Sequence, residues 1–224
     1  FDVKELSFTD ITQYRLQNNE YRAERFEKKQ IYIHHTVSNG NAKNVIDWWE
    51  NDSTKVATFS VIAGEPKTER EKVSFKDGEI LQAFSSGHWT HHLGTENVNN
   101  ELLNKQSIGI ELCSWGRLKK IGDVYFNDSL KKVIYAKDVV TYEEEYRGGK
   151  HYFKYTDKQL VSLKRMLQYL CEKYNIPKKL KGNIFDINDY ALNGDVGIFT
   201  HTSVRKDKSD CHPQPSLIRM LNTL

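Results

Sequence analysis

Cysteine is scarce in this chain. Cys113, Cys171 and Cys211 are its three cysteines in 224 residues, and so odd and sparse a set excludes a disulfide framework. The fold must therefore rest on a packed core, for which the length is ample. Proline occurs four times, and no Pro/Ser/Gly-rich linker separates two cores, so a single domain is expected. No apolar run approaches the roughly 20 residues of a spanning helix, which excludes a membrane span. An excess of one charge is also lacking: 33 Lys+Arg against 30 Asp+Glu leave +3, too little to argue for nucleic acid, although it would not repel an acidic polymer. With 38% hydrophobic and 28% charged residues, a disordered polyelectrolyte is excluded as well. The chain starts at Phe1 with no basic-then-apolar leader after it, so a trimmed or processed form is expected, and its cellular address is not given by these residues.

The residues that are present alternate between strand and helix signals. Residues 1–28 are polar and charged with irregularly spaced aromatics, and are expected to form an N-terminal arm. Gln30-Ile31-Tyr32-Ile33-His34 is a β-branched and aromatic run of buried-strand type, followed by the turn-rich Ser38-Asn39-Gly40-Asn41. Val45, Trp48 and Trp49 recur at helical spacing within 42–51. Further strands are expected at 56–63, 79–84, 107–113 and 196–201, and the charged stretch 65–78 reads as a loop. Thr156 with Gln159 makes a capping-box signature ahead of the stripe Leu160, Leu163, Leu167, Leu170 and Tyr174, and a short helix is expected from Pro215. Residues 116–154, rich in Tyr, Lys, Glu and Gly, read as an insertion. The expected architecture is one α/β domain, a mixed central β-sheet flanked by helices.

Histidine is the chemically informative residue type. His34 and His201 stand at or just beyond the C-terminal ends of expected strands, where α/β sheets assemble their sites. Asp210, Cys211 and His212 follow as candidate third ligands, and two imidazoles with one anionic ligand and a free fourth position make up a catalytic zinc site. Spacing alone leaves His34 and His35 open to reading as ordinary polar residues at a strand end. Glu111 within Ile-Gly-Ile-Glu-Leu either faces solvent by alternation or is a buried carboxylate that needs a partner.

At these residues the sequence resembles the zinc-dependent N-acetylmuramoyl-L-alanine amidases, the family that includes phage amidase-type lysozymes and animal peptidoglycan recognition proteins. The resemblance runs from about Lys29 to the C-terminus and is weakest across the insertion. It is carried by five motifs in the family's order: Ile-Tyr-Ile-His34-His35-Thr36, Asp77-Gly78-Glu79-Ile-Leu-Gln82, His91-His92-Leu93-Gly94, Ser107-Ile-Gly-Ile-Glu111-Leu, and His201 through Lys208-Ser-Asp210. It implies a Zn2+ cofactor held by His34, His201 and Asp210. Asp210 is chosen over Cys211 because the family places a lysine two residues before the third ligand, although a thiolate is the softer donor. It further implies Glu111 as general base and Lys208 as the cation facing the oxyanion. His92 would line the substrate groove with Trp89 nearby, where Trp89 reads equally as core packing. Thr58 stands where other branches have a catalytic tyrosine, and its neighbour Phe59 replaces a histidine common there.

The implied reaction is hydrolysis of the bond between the N-acetylmuramoyl lactyl group and L-alanine, with peptidoglycan or a muropeptide as partner at the bacterial cell wall, no nucleic acid, and a monomeric protein. Three alternatives stay open: a non-catalytic peptidoglycan-binding domain, a zinc amidase acting on soluble muropeptides or another amide, and a Cys/His hydrolase using Cys113 or Cys211. For Cys113, on a buried strand, an inert structural thiol is expected.

Overall fold

The computed structural model describes residues 11–17, 19–97 and 99–224, so the first ten residues of the expected arm lie outside the described residues. In chain order the strands are β1 (Ile11–Gln13), β2 (Gln30–His35), β3 (Ser60–Ile62), β4 (Ile80–Gln82), β5 (Ser107–Leu112), β6 (Arg117–Ile121), β7 (Val124–Asn127), β8 (Val133–Ile134), β9 (Val139–Tyr146), β10 (Gly149–Phe153) and β11 (Gly197–Thr200). The helices are α1 (Ala42–Asn51), α2 (Glu69–Lys72), α3 (Asn100–Lys105), α4 (Asp157–Tyr174), α5 (Asp189–Leu192) and α6 (Pro215–Leu221).

The central sheet is mixed, in the order β1-β4-β3-β5-β2-β11, with β3 and β4 antiparallel and every other neighbouring pair parallel. All six residues of β2 and all four of β11 are buried. That is why these segments read as near-continuous apolar runs rather than as an alternation: strands covered on both faces have no solvent side. No helix among the described residues is long and apolar enough to cross a membrane.

The long helix α4 starts at its capping box, where Gln159 N donates to Thr156 Oγ1 and Thr156 N to Gln159 Oε1, both at 3.0 Å. It stops at Asn175, whose φ of 56° is the left-handed cap, two residues before Pro177. Leu160, Leu163, Met166, Leu167 and Leu170 are buried. Each contributes roughly 2 kcal/mol relative to exposure, whereas a cap contributes about 1, so packing holds this helix and the cap sets where it starts. Gln159 Nε2 also donates to the carbonyls of Cys113 (2.9 Å) and Ile62 (3.3 Å), tying α4 to the ends of β5 and β3. The Asp77-Gly78 motif is structural. Asp77 Oδ1 accepts from Thr156 Oγ1 at 2.6 Å, and Gly78, at φ 79°, sits so close to α4 that a Cβ would lie 2.8 Å from Lys158 O.

Several elements differ from the sequence reading. Part of the arm is structural: β1 adds an edge strand to the central sheet, and Leu16 is buried in the core. The strand expected over 56–63 is ordered as a ladder only at Ser60–Ile62. Helix α2, with its own capping box at Thr68, lies in the stretch read as a loop, and α3 and α5 are likewise additional. The insertion forms a second sheet, fully antiparallel, in the order β8-β7-β6-β10-β9.

Candidate active site

The register of three parallel strands builds the site. In β2 and β5, His34 pairs with Glu111, and in β2 and β11, Ile33 pairs with Thr200, so His201 follows at the same edge. Paired residues of neighbouring strands share a face, which puts the His34 imidazole and the Glu111 carboxylate on one side. His35 points to the other, where its Nδ1 accepts from Tyr155 Oη at 2.7 Å. Alternation thus turns the two adjacent imidazoles apart, although His35 also borders the cavity into which the His34 group opens.

Asp210 closes the group. Its Oδ2 lies 3.1 Å from His34 Nδ1 and 3.0 Å from His201 Nδ1, and one ligand atom from each of the three side chains falls within 4.8 Å of the others. All three residues are buried. The far ring nitrogens are each occupied. His201 Nε2 donates to the Leu93 carbonyl at 2.8 Å. The Ser107 hydroxyl donates to Asn104 O at 3.4 Å and accepts from His92 Nε2 at 2.8 Å, which leaves His92 Nδ1 as acceptor for His34 Nε2 at 3.0 Å. These partners assign both proximal histidines the tautomer whose Nδ1 carries a lone pair.

Two lone pairs therefore face one carboxylate oxygen. Burial lowers the His34 pKa to about 4, with the neighbouring His201 adding to the depression, so His34 is neutral at pH 7. For Asp210, burial pushes the carboxyl up, and the charge and hydrogen bonds of His201 and His34 pull it well below its ordinary value; that pull needs a positive charge within the group, the place that a metal cation fills between unprotonated Nδ1 atoms. An anion and two lone pairs converging in a buried space fit a cation. Ligand atoms around a tetrahedral zinc stand roughly 3.3 Å apart, close to the two separations from Asp210 Oδ2. The donor set of two imidazoles and one carboxylate suits that ion, and the outer bonds from His92 and Leu93 are the kind that fix ligand tautomers.

The group opens into a cavity of about 330 Å³ that also takes in Glu111, Lys208, His92 and Thr58, with Val37 and Val56 exposed at its rim. Glu111 Oε2 is buried without a hydrogen-bond partner among the described residues. Burial raises its pKa well above the ordinary carboxylate value, Asp210 raises it further, and Lys208 opposes them. A larger hollow of about 630 Å³ between α2 and the start of α4 contains no histidine, no cysteine and none of the expected site residues.

The cavity thus brings together His34, His201, Asp210, Glu111, Lys208 and His92. Trp89 is not on it: the indole Nε1 donates to Glu24 Oε2 at 3.4 Å, the ring meets Phe26 edge-on, and its backbone pairs with Arg22. Cys211 is fully buried off the cavity beside Tyr155, and burial pushes its thiol up. Cys113 is also buried with its thiol raised by burial, so neither cysteine is placed or ionised as a nucleophile. Thr58 lines the cavity with its hydroxyl donated to Ser60 O, while Phe59 is core. Sequence reasoning missed Ser107 and Asn104, which stand behind His92. Ser107 stands in the sequence only as the first residue of the Ser-Ile-Gly-Ile-Glu motif.

The profile of the N-acetylmuramoyl-L-alanine amidase family matches residues 25–215. Among solved structures the chain is similar to PlyL, at 14% identity and a TM-score of 0.54 over 95% of this chain and 97% of that one. The PlyG catalytic domain gives 14% and 0.53 over 95% and 92%, and a mutant endolysin from Bacillus subtilis 14% and 0.52 over 96% and 98%. At such identities the likeness speaks for the fold. A comparison with curated proteins returns no match.

Proposed function

The chain belongs to the N-acetylmuramoyl-L-alanine amidase family and has that family's activity, and from this premise we propose that His34, His201 and Asp210 hold a zinc ion beside which Glu111 and Lys208 carry out the hydrolysis. The observation that carries the ligand assignment is Asp210 Oδ2 standing 3.1 and 3.0 Å from two Nδ1 atoms whose opposite nitrogens are already engaged. Cys211, buried against Tyr155, is left out of the ligand set.

Zinc, when bound, supplies Lewis acidity that polarises a carbonyl and makes water nucleophilic near neutral pH. The protein's groups do the rest. Glu111, once ionised, accepts a proton from the attacking water as its oxygen bonds to the lactyl carbonyl carbon. The same carboxyl then delivers that proton to the nitrogen of L-alanine as the C–N bond breaks, so the amine leaves neutral. The Lys208 ammonium faces the carbonyl oxygen while it bears negative charge, a contribution whose loss costs about 100-fold to 1,000-fold in rate at comparable sites. His92 holds the His34 ring, and the cavity's rim receives the substrate. No covalent enzyme intermediate is required.

Peptidoglycan is the substrate class, and the finer reading is a wall-acting amidase of the endolysin kind that cleaves the intact polymer. Residues 29–224 form the proposed catalytic unit, with 116–154 inserted; the extent of the family match and the separate second sheet support that division. A binding domain without activity would be expected to lack part of the acid/base and ligand set, whereas every position is filled on one cavity.

The test is to incubate sacculi, and separately an uncross-linked muropeptide, with zinc-loaded protein and the Glu111→Ala, Asp210→Ala and Cys211→Ala variants, then to measure freed L-alanine amino groups and bound zinc. Release by the wild type and by Cys211→Ala alone supports the reading. Loss of zinc from Cys211→Ala with retention in Asp210→Ala overturns the ligand set, and release from the muropeptide alone overturns the polymer as substrate.

A further inference from the structure

The segment that carries Lys208 and Asp210 runs from the 3-10 turn His201–Ser203 to Pro215 without a strand or an α-helix. A catalytic cation and a metal ligand on irregular chain need an outside support, since such chain keeps its conformational freedom unless other elements hold it. The insertion supplies one. Arg147, at the tip of the β9–β10 hairpin, adopts φ 46° with Gly148 at 79°, the paired positive angles of a tight two-residue turn. From that tip its guanidinium reaches back over the segment. Nη1 donates to the carbonyls of Arg205 (3.0 Å) and Lys206 (2.7 Å), and Nη2 to that of Thr202 (3.1 Å) and to Asp186 Oδ1 (3.0 Å). The side chain is only 12% exposed.

The same sheet grips the segment's other end. His212 Nε2 donates to Phe153 O at 3.0 Å, its Nδ1 accepts from Tyr142 Oη at 2.7 Å, and its ring stacks on Tyr152. Residues 207–211 are thus slung between two anchors on one sheet, with Thr202 N donating to Asp210 O at 3.1 Å across the loop. A fork of rigid donors suits this task better than an ammonium, because several carbonyls are fixed relative to one another at once.

We propose that the inserted sheet is the positioning device of the ligand-bearing loop, and that Arg147 is a positioning residue for Asp210 and Lys208. This rests on the reading of Asp210 as a metal ligand. Removing the guanidinium frees the carbonyls at 202–206 and lets the loop depart from the geometry in which Oδ2 meets both imidazoles. Metal affinity then falls, with no change at any ligand.

The test measures zinc affinity of the full chain by competition with a chromophoric chelator, together with melting temperatures of zinc-free and zinc-loaded protein. Arg147→Ala is expected to weaken zinc about tenfold or more, the size seen when outer partners of metal ligands are lost. The gap between loaded and zinc-free melting temperatures should shrink with it. Asp186→Asn, which removes only the negative charge at the exposed end of the clamp and keeps an acceptor oxygen there, should bind zinc within about twofold of wild type. Zinc affinity of Arg147→Ala within twofold of wild type overturns the proposal even if its melting temperature falls, because the arginine then only staples a surface. If Arg147→Ala does not fold, Arg147→Met, which keeps the stem and removes every donor, decides by the same criterion. Asp210→Ala separates the two readings: wild-type affinity there sinks the ligand set itself, whereas loss there with retention in the Arg147 variants sinks only the brace.

Discussion

Gly109 and His92 approach so closely that a Cβ on the glycine would lie 3.0 Å from His92 Nδ1, the atom that accepts from His34, and 2.7 Å from Thr58 Cγ2. The glycine of Ser-Ile-Gly-Ile-Glu is therefore a space requirement of Thr58 and His92, which stand against it beside the proposed metal site, and not of the strand, where a side chain would otherwise be favoured. Gly109→Ala should push His92 off His34 and weaken zinc binding by about 10-fold to 100-fold, the range for a disturbed outer partner. Chelator competition checks this, and a variant with unaltered affinity would show that Thr58 gives way to the added methyl and that His92 keeps its place against His34.

Asp210 and Cys211 are neighbours with opposite environments, and their variants should part accordingly. Asp210→Asn keeps the shape but removes the negative charge that faces the two imidazole Nδ1 atoms, so stoichiometric zinc should be lost. Cys211→Ser should retain zinc, at a cost in stability of about 1–3 kcal/mol for a hydroxyl placed where a buried thiol packs. Metal content by atomic absorption together with a urea melt distinguishes the two. A zinc-free Cys211→Ser that is still folded would refute the assignment.

What could be read in advance followed from how much of each signal is local. The buried parallel strands and α4 announce themselves through continuous runs and a long stripe, and register then converts two strand-end histidines into a pair. Helices α2, α3 and α5, of 4, 6 and 4 residues, are too short for a helical stripe, and β1 is three residues with Ile11 half-buried and Thr12 and Gln13 exposed. Trp89 stands three residues before His92 in the sequence, a position that suits a groove wall and core packing equally. Three positions along extended chain reverse the facing of a side chain, and the indole turns to Phe26 instead. The relay from Asn104 through Ser107 and His92 to His34 joins residues up to 70 positions apart, and no spacing within one segment encodes it.

Glu111 should show its environment in two measurements of opposite sense. As the proposed base it works only when ionised, so kcat/KM should fall as pH drops through a value well above the ordinary carboxylate range. Lys208 opposes that elevation, so Lys208→Met should move the acid limb to higher pH besides lowering the rate about 100-fold or more. For stability the sign is reversed. Native Glu111 holds its proton above the pH at which the unfolded chain releases it, so its contribution falls as pH rises from about 4.3 through the raised native value. Glu111→Gln should then be inactive, more stable than wild type at neutral pH, and flatter in stability across that window. An inactive variant with unchanged pH dependence of its urea midpoint would contradict a buried, protonated Glu111.

Lys28 offers a check far from the chemistry, at the foot of the same strands. Its Nζ is buried and donates to the carbonyls of Lys105 (2.7 Å) and Ser107 (3.2 Å), and burial lowers its pKa to about 7. The unfolded chain holds that proton up to about 10.4, so between pH 7 and 10.4 it binds more protons than the native state, and stability from this group must rise with pH across that interval. Below pH 7 both states are protonated and the cost of a buried ammonium is fully present. Lys28→Met replaces the ammonium with an apolar chain of similar reach, so it should flatten the rise in urea midpoint between pH 7 and 10 while leaving zinc affinity within about twofold. The carbonyls it frees belong to the turn into β5, where Ser107 begins the relay to His34. Should zinc affinity fall along with the flattened profile, the lysine would be holding the relay in place as well as carrying a misplaced charge.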